Sequence, residues 1–161
     1  MNIINRIEQL PVHSSKTYKT RSLSIIHHLI LHHSGVSNGS PVSYARHHVY
    51  TNNWPGIGYH YVIEQDGTIL KCQKMTTISY HTGGYNTHSI GLCLTGDYSR
   101  NTPPPRQLRS TYQLVRQLMQ TFSINKDKLL GHRECEGHAS NVCPGFDMNE
   151  FRKNLTSFSH D

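Results

Sequence analysis

No stretch of this chain approaches the roughly 18 consecutive apolar residues of a membrane-spanning helix. Its first residues, MNIINRIEQLPVHSSK, hold neither a continuous apolar segment nor a small-residue cleavage site. The expectation is a protein made in the cytoplasm without a signal peptide. There is no internal repeat and no low-complexity tract. The metal-binding spacings C-x-x-C and H-E-x-x-H are absent as well. Charged residues are scarce at 16%, and the hydrophobic class supplies only 35%. Lys16, Lys19, Arg21, Arg100, Arg106, Arg109 and Arg116 are scattered, so no dense basic arm of a nucleic-acid binder is present and no nucleic-acid partner is expected.

What the chain does have is 13 histidines and a formal charge of +6 over 161 residues. That length fits a single domain able to bury its own core. The positive charge favours an anionic surface such as a cell wall. Four cysteines, Cys72, Cys93, Cys135 and Cys143, are expected to stay reduced in a protein made in the cytoplasm.

The apolar run Ile25 to Leu31, followed by Ser34 and Gly35, predicts a buried strand, with alternation sending His32 and His33 to opposite faces. Ser40 as cap and Pro41 at the first helical position predict a short helix to about Tyr50. Asp66-Gly67 between two alternating runs predicts a hairpin. Residues 89–94 form another apolar run in which Cys93 reads as a small core residue. Leu108, Tyr112, Val115, Met119 and Phe122 recur at helical spacing within 107–122. Asp147 and Glu150 stand as a capping pair before a docking helix that carries Phe151 and Leu155. The fold class expected is mixed α/β (α+β): a central mixed sheet flanked by helices.

The segment GHRECEGHASNVCPGFD, residues 131–147, concentrates histidines, cysteines and carboxylates among glycines. From the residues alone two chemistries stay open. Cys143 or Cys135 could act as a nucleophile with His132 as base. Equally, two imidazoles and a thiolate could hold zinc and leave a fourth position open.

Four pieces in order, LILHHSG, WPGIGYHYVIEQDGTI, HTGGYNTHSIGLCLTGDY and GHRECEGHASNVCPGFD, resemble the zinc-dependent N-acetylmuramoyl-L-alanine amidases of the phage lysozyme and peptidoglycan-recognition type. The resemblance runs from about residue 20 to about residue 155. It implies the peptidoglycan-recognition/amidase fold in one amidase domain, with residues 1–20 as an N-terminal extension and a core of about 21–158. It also implies one Zn2+ per chain, held by His32, His132 and Cys143. Tyr59 matches the family's active-site tyrosine, whereas its neighbour His60 reads as structural. His81, Asn86 and Ser89 fall in the segment that lines the muropeptide groove, with His88 and Tyr85 less firmly placed.

Where many relatives carry Lys or Thr two residues before the cysteine ligand, this chain has Asn141. Asn141 can donate a hydrogen bond to an oxyanion but brings no charge, and His138 is a substitute candidate. A Cys135–Cys143 disulfide would consume the thiolate and is not expected. The activity implied is hydrolysis of the amide between N-acetylmuramic acid and L-alanine, by a monomer that reaches the wall after release, lysis or delivery. The alternative is a module that binds peptidoglycan without cutting it.

Overall fold

The computed structural model describes residues 1–156; the expected core boundary at residue 158 lies outside them. Its frame is a six-stranded sheet in the order β1-β5-β4-β7-β3-β8. The strands are β1 (Ile3–Asn5), β3 (His28–His33), β4 (Tyr61–Ile63), β5 (Ile69–Lys71), β7 (Ser89–Leu94) and β8 (Leu129–Gly131). β7, β3, β8 and β4 run parallel along their shared edges, and β5 is antiparallel to β4, so the sheet is mixed as expected. A separate antiparallel pair joins β2 (Lys19–Thr20) to β6 (Thr77–Ile78).

Period-2 alternation divides the sheet into two faces of different chemistry. Leu29 and Leu31 of β3, Ile90, Leu92 and Leu94 of β7, and Ile63 of β4 are all at most 1% exposed and belong to one aliphatic cluster. Helix α2 (Pro105–Phe122) covers that cluster with Tyr112, Leu114, Val115 and Leu118, and α3 (Met148–Asn154) adds Met148 and Phe151. The intervening positions, His28 and His32 of β3, Ser89, Gly91 and Cys93 of β7, and Val62 of β4, turn to the opposite face. There a smaller cluster includes Tyr44, Ala45, Ile57, Val62 and Cys93. The polar chemistry of the chain therefore sits on the face that α2 leaves uncovered.

Local signals explain the element ends. Ser40 caps α1 (Pro41–Arg46) through a reciprocal bond with Ser43, and a wider turn over His47–Thr51 continues it. Asp147 caps α3 by accepting from the backbone of Asn149 and Glu150. Gly67, at φ +93°, closes the β4–β5 hairpin. One boundary differs from the sequence reading. Leu23–Ile25 form a 3-10 turn whose preceding Ser22 accepts from Ser24 N–H, so the strand begins at His28 and reaches His33. Among the described residues no helix is long and apolar enough to cross a membrane.

Candidate metal centre and active site

β3 delivers His32 next to its last position, where it is 2% exposed. β8 ends at Gly131 and hands the chain directly to His132. The loop that follows returns Cys143 to the same place, with Arg133 N–H donating to the Cys143 carbonyl at 2.9 Å. One donor atom each from His32, His132 and Cys143 lie within 4.8 Å of one another. Cys143 Sγ is 3.6 Å from His32 Nδ1 and accepts from His33 N–H at 3.3 Å.

The imidazoles around this cluster are linked by hydrogen bonds. Gly83 O can only accept, so His138 donates to it from Nε2 (2.9 Å), and Nδ1 is the ring nitrogen that faces His132. His132 Nε2 lies 3.1 Å from that nitrogen, so Nδ1 is the His132 nitrogen outside this contact. On the other side His32 Nε2 is 3.0 Å from His81 Nδ1 and 3.3 Å from Thr82 Oγ1, while His32 Nδ1 is the nitrogen beside the cysteine sulfur. Second partners of this kind orient metal-ligating histidines.

The electrostatics suit neutral ligands. Burial, reinforced by His132 and His33, holds His32 well below the usual imidazole range. Burial and neighbouring His138 bring His132 down to about 4. Burial pushes the Cys143 thiol up to about 12, partly offset by the His33 N–H, so the sulfur keeps its proton until a cation displaces it. Two neutral imidazoles and one thiol that ionises against a cation form a donor set suited to zinc.

Above the cluster opens a cleft of about 270 Å³ lined by His32, His48, Trp54, Tyr59, Tyr80, His132, Asn141 and Cys143, among others. The Tyr59 ring centroid is 5.3 Å from that of His32, and burial with nearby Cys93 and Cys143 drives its phenol well above the ordinary range. Asn141 Oδ1 accepts from Cys143 N–H at 2.8 Å, which commits its oxygen to the turn and leaves its NH2 group to donate. His48 escaped the sequence reading. Its Nδ1 accepts from Gly58 N–H at 2.9 Å, so its hydrogen sits on Nε2, and a helix-borne histidine 16 residues from His32 gave no signal.

His81 lines the same cleft, and Asn86 and Ser89 hold it in place. Asn86 Oδ1 accepts from the backbone of His81 and Thr82 at 2.9 and 2.8 Å, folding the loop on itself. Ser89 is 0% exposed and its hydroxyl meets His81 Nε2 at 3.1 Å. His81 then spans from Ser89 to His32. His81 thus both lines the cleft and supports a candidate ligand. His60 is fully buried with both nitrogens bonded, and all four cysteines are free.

The model of the family described as N-acetylmuramoyl-L-alanine amidase matches residues 22–146. An endolysin of Enterobacteria phage K11 is 29% identical over 62% of this chain and 66% of its own length. The chain thus aligns with just under two thirds of that relative. Peptidoglycan-recognition protein SC1a of Drosophila melanogaster is 27% identical over 76% of this chain and 70% of its own. Among solved structures, the N-acetylmuramoyl-L-alanine amidase LysC from Clostridium intestinale URNW is 27% identical, with a TM-score of 0.75 over 92% of this chain and 97% of that one.

Proposed function

This chain belongs to the N-acetylmuramoyl-L-alanine amidase family, and from that premise we propose that it is a zinc-dependent amidase that cleaves the bond between N-acetylmuramic acid and L-alanine in peptidoglycan. The observation that carries the reading is the convergence of His32, His132 and Cys143 within 4.8 Å at the floor of a cleft that Tyr59 and Asn141 also line. These three residues would hold the ion. When bound, zinc supplies a Lewis acid that polarises the scissile carbonyl and activates water near neutral pH.

The chain's own groups do the rest. In the cleavage, the water oxygen forms a bond to the carbonyl carbon, the carbon–nitrogen bond breaks, and a proton passes to the departing alanine nitrogen. The buried Tyr59 phenol keeps its proton, so it positions the water by a hydrogen bond. The Asn141 NH2 group, aligned by the turn bond to Cys143 N–H, donates to the oxygen that gains charge. His33 N–H donates to Cys143 Sγ and favours its ionised form. The formal charge of +6 favours adsorption to an anionic wall once the protein has reached it.

The test is mass spectrometry of purified peptidoglycan after incubation with the protein, with and without a chelator. The expected products are free L-alanine amino termini and uncut glycan strands, abolished by chelation and restored by zinc. Cleavage within the glycan or the stem peptide would overturn the assignment. Retention of peptidoglycan with no new amino termini would make the protein a recognition module.

A further inference from the structure

Four residues before His32 on the same face of β3 stands a second group of histidines. His28 opens the strand, His27 precedes it, and His88 leads into the neighbouring strand β7. One nitrogen from each ring lies within 4.8 Å of the others. His27 and His28 approach Nδ1 to Nδ1 at 2.8 Å, the His27 and His88 rings stack with centroids 4.4 Å apart, and His28 and His88 are 5.3 Å apart. His88 Nδ1 is sealed from solvent and has no hydrogen-bond partner. A buried ring nitrogen without a partner is costly, and an imidazole lone pair is a strong ligand for borderline transition metals.

We propose that His27, His28 and His88 form a second metal site, for a divalent transition metal ion of the zinc type, separate from the cluster at His32. Tetrahedral bonds of about 2.0–2.1 Å set ligand nitrogens roughly 3.3 Å apart, so modest ring rotations close the site. His27 is exposed and leaves the ion open to water on that side, whereas His28 is buried. Asp127 and Lys128 both lie near His28 and oppose one another. Arg21, the other nearby cation, donates to the carbonyls of Met75, Asn86, Thr87 and Ser89. At about 3.3 Å per residue along a strand, the two sites are roughly 13 Å apart.

The ion would join the start of β3 to the turn Asn86–His88, which ends the loop that carries His81 and Thr82. Tyr85 packs edge-on against His28 at 5.5 Å and accepts from Glu136 N–H at 3.0 Å, in the loop that carries His132. Its occupancy therefore acts on stability and on the order of both loops.

Metal-stripped protein is titrated with zinc and with cobalt(II), reading stoichiometry, thermal midpoint and absorption. The wild type is expected to take up two ions. Cys143→Ser is expected to retain one, with a cobalt spectrum that lacks thiolate charge transfer and a thermal midpoint that still rises with metal. His27→Gln, a change at an exposed position that spares the fold, and the double change His27→Gln with His88→Gln should each lose that ion while keeping the thiolate band. A single equivalent in the wild type, or a second equivalent that survives the double change, would overturn the proposal. Because Cys143→Ser isolates the second site, its failure is read independently of the amidase assignment.

Discussion

His81 Nδ1 lies 3.0 Å from Nε2 of His32, and the space for the His81 ring exists because residue 91 is glycine. A Cβ at Gly91 would come within 2.7 Å of His81 Cγ. Replacing His81 by Phe keeps the bulk and removes the bond, and zinc affinity should fall by about 10- to 100-fold, as for other lost partners of ligating histidines. Gly91→Ala should do the same by displacing the ring, with a stability loss of about 1–3 kcal/mol from overpacking. Competition against a chromogenic chelator, together with urea unfolding, reads both effects. Unchanged affinity in both variants would reduce His81 to a packing residue.

Cys143→Ser should abolish zinc retention at the cleft, since the serine hydroxyl does not ionise near neutral pH as a metal-bound thiol does. Cys93→Ser should keep the zinc. Cys93 is 0% exposed in the apolar cluster beside Val62, and a buried hydroxyl there costs about 1–3 kcal/mol of stability without removing a ligand. Elemental analysis of the two variants separates ligand from core.

Tyr59→Phe removes only a hydroxyl from a ring packed against His32 and His48. Turnover should drop by about 10²- to 10⁴-fold, the usual worth of a positioned proton-handling group, with zinc content intact. Full activity would return Tyr59 to the core.

Asn141 has two separable roles, because its oxygen accepts from Cys143 N–H while its NH2 group remains to donate. Asp keeps the acceptor and loses the donor, so Asn141→Asp should retain zinc and lose kcat. Asn141→Ala should lose kcat by about 2.7–4 kcal/mol of transition-state stabilisation and weaken metal retention as well. Equal kcat in wild type and Asn141→Asp would leave Asn141 as a turn residue.

His60 makes folding acid-sensitive. It is 0% exposed, Nδ1 accepts from Gly91 N–H, Nε2 donates to Thr77 O, and burial brings it down to about 3. In the unfolded chain it protonates near 6.5. The unfolded state therefore binds the extra proton first as pH falls. The stability is fully present above about 6.5 and is lost progressively toward about 3, by a few kcal/mol in all. His48, brought down to about 4 by burial, adds in the same direction. Urea midpoints measured from pH 7.5 to 4.5 should fall, and His60→Gln should flatten that slope; equal slopes would absolve His60.

Much of this protein is written locally in its sequence. The apolar runs that became β3 and β7, the spacing of α2, the Asp66-Gly67 turn and the Ser40 and Asp147 caps are all short-range patterns, and each produced its element. The ligand candidates His32, His132 and Cys143 were legible from ordered motifs, though 111 residues separate the first from the last. β8 went unread because three residues carry too little periodicity to distinguish a strand from a loop. His48 and the support given by His81, Ser89 and Asn86 were likewise beyond the sequence. A side chain's identity and spacing fix which bonds it can make, but which neighbour receives them depends on a loop and a strand brought together from 49 residues apart, as His81 and His32 are. Only the parallel register of β3 with β7 placed Gly91 where that imidazole could lie.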